Sequence, residues 1–181
     1  MTANPNTPGM TREQVAQRIC DVALLRGEFT LRSGRKSNYY LDKYRFETQP
    51  DVLAELGKMF AAKIPAQVQR IAGPELGAVA LAAATSLASG KPFIIVRNQK
   101  KGYGSGKQIE GILEKGETLV IVEDIMTTGG QVVEAAKTIE AAGLKVKKIV
   151  GVIDRLEGAR ENIEAAGYVF ASLFTTKDLG I

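Results

Sequence analysis

Residues 119–131 read Leu-Val-Ile-Val-Glu-Asp-Ile-Met-Thr-Thr-Gly-Gly-Gln, an order that few folds can accommodate. Leu119–Val122 is an unbroken apolar run, the kind found in strands covered on both faces. Two acids, Glu123 and Asp124, stand at its carboxyl end. Thr127, Thr128, Gly129 and Gly130 then form a turn that opens directly into a helical pattern. In an open α/β sheet, ligands sit at the carboxyl ends of the strands. A glycine turn feeding a helix N-terminus presents backbone N–H groups and the positive end of the helix dipole, which suit a phosphate monoester. The two threonines add hydroxyl donors. Carboxylates repel phosphate, so Glu123 and Asp124 need another partner: the vicinal hydroxyls of a sugar, or a metal chelated by them. The segment asks for a sugar phosphate. It is not a Walker motif, because no Lys-Ser/Thr follows the glycines, and it lacks the three-glycine dinucleotide fingerprint.

The rest of the chain supplies a sheet for that strand. Val68–Ala72, Phe93–Val96, Val146–Ile153 and Tyr168–Phe174 read as further strands, and Ala78–Ser89, Gly130–Ala142 and Ala159–Ala166 as the helices between them. This alternation predicts βαβ units: a parallel five-stranded core sheet flanked by helices. Gln108–Leu113 and Thr118–Val122 resemble a hairpin joined across Lys115-Gly116. Residues 1–65 lack the rhythm. Thr11 and Gln14 form a capping-box pattern ahead of a helix with Val15, Ile19 and Val22 on one face. Phe29–Tyr44 reads as two short strands around a Ser33-Gly34 turn. A second helix follows Pro50, with Asp51 as its cap and Leu53, Leu56, Met59 and Phe60 inward. The expectation is a single domain over residues 1–181, with 1–65 mainly an accessory hood, 66–175 the core and a projecting loop hairpin.

Composition narrows the chemistry. The chain has 181 residues, 45% of them hydrophobic and 24% charged, enough for a buried core. It contains no histidine, which excludes Ser-His-Asp triads, His-ligated zinc and any imidazole base. Cys20 stands alone, so no internal disulfide or cysteine metal cluster can form. A net charge of +4 suits anionic ligands, but acids and bases are interspersed and no long basic run suggests nucleic acid. No apolar stretch is long enough to span a membrane, and Met1–Met10 has no apolar h-region of a signal peptide. The expected location is cytoplasmic.

Leu119–Gln131 resembles the 5-phosphoribosyl 1-diphosphate (PRPP) motif of the type I phosphoribosyltransferases. Two further segments and a dipeptide resemble the orotate phosphoribosyltransferase family within it. Phe29–Asp42 resembles its amino-terminal signature. Val96–Gly111 resembles its mobile catalytic loop, and Asp154-Arg155 its Asp-Arg pair. The resemblance covers about residues 11–175 and implies transfer of a phosphoribosyl group from PRPP to orotate, giving orotidine 5′-monophosphate and pyrophosphate with Mg²⁺. It implies Lys101, Arg97 and Asp124 as catalytic residues. PRPP would be bound by Arg97, Lys100, Lys101 and Tyr103, by Glu123 and Asp124 at the ribose hydroxyls, and by Ile125, Met126, Thr127, Thr128, Gly129, Gly130 and Gln131. Arg32, Leu76 and Gly77 would meet the diphosphate side, and Tyr40, Leu41, Thr127 and Arg155 would contact orotate. No protein side chain is assigned to the metal, which PRPP would carry. The resemblance further implies a homodimer in which loop 97–106 reaches the neighbouring site. Asn98, Tyr103 and Arg32 depart from the commonest family pattern, where lysine, histidine and lysine are frequent.

Plainer readings exist for each of these residues. Lys100 and Lys101 fit a solvated turn, Arg155 a structural ion pair with Asp154, and Tyr39 and Tyr40 core aromatics. Cys20 fits a small buried hydrophobe, and Arg32, Arg35 and Lys36 a charged hairpin edge. The rival functions are a phosphoribosyltransferase for another nucleobase and a PRPP-binding regulator without catalysis. Arg155 opposes the first, since a neutral purine offers it no carboxylate; Lys101 opposes the second.

Overall fold

The computed structural model describes residues 9–30, 34, 36–98 and 107–181. Thr11 caps helix α1 (Arg12–Ala23) as a full capping box: its hydroxyl accepts from Gln14 N at 3.2 Å while Gln14 Oε1 accepts from Thr11 N at 2.8 Å. The helix passes straight into β1 (Leu24–Thr30), which pairs antiparallel with β2 (Lys36–Leu41) in a small separate sheet. A helix that the periodicity missed follows at once: α2 (Lys43–Glu47), capped by Asp42, whose side chain accepts from Tyr44 N at 3.2 Å. Next comes α3 (Pro50–Ala61). Its N-cap position is held by Gln49 with Pro50 at the first turn, so Asp51 is not the cap. Asp51 sits inside the first turn and pairs with Arg18 Nε at 2.8 Å.

The remaining elements run β3 (Arg70–Pro74), α4 (Ala78–Ser89), β4 (Phe93–Val96), β5 (Ile109–Glu110), β6 (Thr118–Met126), α5 (Gly130–Ala141), β7 (Lys145–Asp154), α6 (Ala159–Ala165) and β8 (Phe170–Thr175). The main sheet has the order β5-β4-β3-β6-β7-β8, and all neighbours are parallel except β5 on β4. The five-stranded parallel core is therefore present, with one antiparallel strand added at the β4 edge. That addition corrects the predicted hairpin. Residues 109–110 pair with β4 through Ile95↔Glu110 and Val96↔Ile109, while β6 lies between β3 and β7. The hairpin is β4–β5, closed where Arg97 N donates to Gln108 O at 2.8 Å. Loop residues 99–106, which join its strands, lie outside the described residues.

The alternating side chains of β6 serve two cores. Val120 and Val122 face a cluster with Val15 and Ile19 of α1, Val52, Leu56 and Phe60 of α3, and Leu81 of α4. Leu119 and Ile121 face the opposite cluster, with Val132, Ala136 and Ile139 of α5 and Ile163 of α6. Residues 15–60 thus help bury one whole face of the sheet. At the amino end of the strands, Arg70 donates from Nε to Glu117 Oε2 at 2.6 Å and from Nη2 to Oε1 at 3.0 Å. That fork ties the start of β3 to the residue before β6.

Candidate active site

The carboxyl end of β6 forms the floor of a cleft of about 740 Å³. Glu123 and Asp124 close the strand. Asp124 is 3% exposed, and Lys43 Nζ reaches its Oδ2 at 2.6 Å. Its Oδ1 accepts the N–H of Ile125, and its own N–H is donated to Glu123 Oε1 at 3.0 Å. Burial, with the charge of Asp124 beside it, pushes the Glu123 carboxyl up to about 8. The site therefore holds a lysine-paired acid and a readily protonated one side by side. A diol matches that pair, because its hydroxyls can both donate and accept.

Facing the acids, Thr127, Thr128, Gly129, Gly130 and Gln131 line the cleft as the turn into α5. Gly129 holds the N-cap position at φ +77°, and a Cβ there would lie 2.9 Å from Ile163 Cγ1 of α6. Both the backbone angle and the space demand glycine. Thr128 O accepts from Asn162 Nδ2 at 2.9 Å, which anchors the turn to α6; the first N–H groups of a helix such as α5 have no intrahelical acceptor. Ile125 and Met126 also line the cleft, but Met126 is 2% exposed and packs into the core with its side chain. What it offers the cleft is main chain.

A third wall comes from the loop after β3. Glu75 Oε1 accepts from Asn98 N at 2.8 Å, and Glu75 Oε2 lies 3.7 Å from Arg97 Nη1. Arg97 and Asn98 both line this chain's own cleft. Leu76 is 70% exposed and Gly77 is buried, and neither lines the cleft. Gly77 instead lies directly behind the acids: a Cβ on it would stand 2.1 Å from Asp124 Oδ2.

The residues assigned to orotate are more scattered. Arg155 follows β7, donates its N–H to Met126 O at 2.9 Å and so sits beside the end of β6. Its Nε approaches Glu157 Oε1 at 3.0 Å without hydrogen-bond alignment, so its ion partner is Glu157 rather than Asp154. Asp154 Oδ1 accepts from Leu156 N at 2.8 Å instead. The guanidinium carbon lies 5.9 Å from the ring centre of Tyr39. Tyr40, on the other face of the strand, packs against Phe29 at 5.6 Å and is 43% exposed. Leu41 is 6% exposed in the core, so only its main chain can face a ligand. Arg32, Lys100, Lys101 and Tyr103 lie outside the described residues. Reading the sequence missed Lys43 and Glu47, because a five-residue helix carries no usable periodicity; the one available signal was Asp42 as its cap. Among the described residues, no group of three or more Asp, Glu, His or Cys side chains is arranged to hold a metal ion.

A mostly parallel sheet with an acid pair and a glycine turn at the end of β6 defines a class. Residues 45–172 match the phosphoribosyl transferase domain, and the chain belongs to that family. Within it, the chain is 48% identical to an orotate phosphoribosyltransferase of Methanocella arvoryzae over 84% of this chain and 87% of that protein. It is 42% identical to that of Pyrococcus abyssi over 93% and 94%. Among solved structures, the Mycobacterium tuberculosis orotate phosphoribosyltransferase in complex with 5-phospho-alpha-D-ribosyl 1-diphosphate superposes with a TM-score of 0.78 at 31% identity, covering 94% of this chain and 99% of that one.

Proposed function

We propose that this chain transfers the 5-phosphoribosyl group of PRPP to orotate, giving orotidine 5′-monophosphate and pyrophosphate, a step of pyrimidine biosynthesis. The observation that carries the residue roles is the β6 cleft, with an acid pair on one side and the glycine turn into α5 on the other. The 5′-phosphate takes the N–H groups and hydroxyls of Thr127–Gln131, and the ribose hydroxyls take Glu123 and Asp124. In the reaction the C1–O bond to the diphosphate breaks with its electron pair leaving on oxygen, and N1 of orotate forms the new bond to C1, losing its proton to solvent. The sugar passes through a cationic state, so the protein works by positioning and by charge rather than by a nucleophile. Asp124, under the ribose, opposes the developing positive charge. Arg97 and Lys101 are assigned to the departing pyrophosphate, and Lys100, Tyr103 and Arg32 to PRPP with them. Arg155 pairs with the orotate carboxylate while main chain near Tyr40 and Leu41 borders the ring. Mg²⁺, carried by the diphosphate as part of the substrate, would neutralise its charge; no side chain of this chain is assigned to hold it. A cytoplasmic homodimer completes the proposal; of loop 97–106, Arg97 and Asn98 line their own cleft, and the part beyond them is assigned to the neighbouring site.

The test is the fall in orotate absorbance when PRPP and Mg²⁺ are added. Arg155→Ala should raise the KM for orotate at least about tenfold, the size of one charged hydrogen bond, while the KM for PRPP stays within about twofold. Equal turnover of orotate and unrelated bases would reject the assignment.

A further inference from the structure

Lys43 and Glu47 stand one turn apart on α2, and the reaction as described uses neither. Lys43 Nζ lies 2.6 Å from Asp124 Oδ2, with side-chain exposures of 33% and 5%. Glu47 is 3% exposed, and its Oε1 is buried with no hydrogen-bond partner. The three side chains converge on one point. A Cβ added to Gly77 would lie 2.1 Å from Asp124 Oδ2 and 3.1 Å from both Glu47 Oε1 and Lys43 Nζ. The lysine head therefore has two carboxyl groups within the sweep of its flexible stem, one occupied and one whose Oε1 has no partner.

An orphaned buried acceptor is costly unless another state of the protein satisfies it. With Ile125 N–H on Oδ1 and Lys43 on Oδ2, Asp124 is also engaged at both oxygens where a ribose hydroxyl has to bind. We infer that Lys43 is a positioning residue for the transfer reaction, aligning the Asp124 carboxylate and moving to Glu47 when a sugar hydroxyl binds at Oδ2. The inference rests on the reading of Asp124 as a ribose ligand. The charges facing Glu47 are Asp124 of β6 and Lys43 and Asp42 at the start of α2. Burial first, then the Asp124 charge, pushes its carboxyl up to about 7, so below neutral pH Glu47 is mostly protonated while Lys43 rests on Asp124. Arrival of the ammonium drives that proton off into solvent. Sugar binding is then coupled to proton release.

Two measurements decide it. Titration calorimetry with ribose 5-phosphate near pH 6, in buffers of different ionisation enthalpy, counts released protons. The wild type should release more protons than Glu47→Gln, which retains the shape but has no proton to give. In steady-state kinetics, Lys43→Met should raise the KM for PRPP about tenfold or more with the orotate KM within about twofold, and Lys43→Arg should recover most of the loss. Equal proton release by wild type and Glu47→Gln overturns the exchange, and this measurement stands even where Lys43→Met does not fold. Equal PRPP kinetics in Lys43→Met and wild type, or a parallel rise in both KM values, overturns the positioning role. A wild type that makes no orotidine monophosphate overturns instead the reading of the site on which both stand.

Discussion

Glu123 and Asp124 are neighbours in the chain under different electrostatics. Asp124 has an ammonium at 2.6 Å, whereas Glu123 has burial and a like charge. A carboxyl held above its unfolded value supports the fold only while protonated. The contribution of Glu123 is complete below about pH 4.5 and disappears as pH climbs through 8. Glu47 acts in the same direction up to about 7. Melting temperature of the unliganded protein, followed by calorimetry from about pH 5 to 8, should therefore carry a falling component that Glu123→Gln reduces. An unchanged slope in the variant would show that another group titrates there. Glu117, Asp51 and Asp178, held low by their hydrogen-bond partners, act in the opposite sense, and their support is lost only in acid. Gly77 offers a second residue-scale test. Its φ of −60° and ψ of −46° suit any residue, so alanine meets no backbone strain but would meet the Asp124 carboxylate at 2.1 Å and Glu47 Oε1 and Lys43 Nζ at 3.1 Å. Gly77→Ala should keep its circular dichroism spectrum and lose about tenfold or more in kcat/KM for PRPP.

At the scale of elements, the fork of Arg70 onto Glu117 clamps the start of β3 to that of β6, with side chains 6% and 14% exposed. Arg70→Met leaves Glu117 without its counter-ion in a nearly closed site. A loss of about 3 kcal/mol follows for a broken buried pair, or roughly 6–12 °C in a chain of this size. Urea denaturation gives the free energy directly, and a loss below about 0.5 kcal/mol would place the pair among exposed ones. Elements with apolar runs or repeated helical turns were readable from sequence. Phe93–Val96 and Ala78–Ser89 have the predicted bounds, and β7 extends the predicted strand by one residue at each end. Pairing was less legible. Residues 109–110 alternate equally well against either neighbour, and only the β4 edge, left open by the order of the parallel strands, selects their partner. α2 was invisible for a different reason: its residues do not repeat over enough turns to reveal a face. Yet it carries the lysine that reaches Asp124.

For the whole molecule, the first 65 residues decide whether the sheet can exist. Val15, Ile19, Val52, Leu56 and Phe60 are at most 1% exposed and cover Val120, Val122 and Val152. At roughly 1.5–3 kcal/mol per buried side chain, removing them strips on the order of 10 kcal/mol, comparable to the entire stability of a typical domain. A fragment of residues 66–181 should therefore show no cooperative thermal transition; one that melts cooperatively would make residues 1–65 a separable unit. The proposed shared sites have their own test. Lys101→Ala and Asp124→Asn should each be nearly inactive, and mixing them under subunit exchange should restore activity through hybrids with one intact site. No recovery, with exchange verified by mass spectrometry, would confine each site to one chain.

The sequence by itself determined the class of chemistry, because an apolar strand, two acids and a glycine turn must lie consecutively to put a diol site next to a phosphate site. It also determined the parallel core, since buried strands and helices alternate along the chain and local periodicity records which residues avoid water. Tertiary structure alone decided the partner of β5, the burial of Leu41 against the exposure of Tyr40, and the meeting of Lys43, Glu47, Gly77 and Asp124. Those four residues are separated by up to 81 positions. Their interaction depends on distance through space and on exclusion of water, and neither quantity is written in the spacing of residues along a chain.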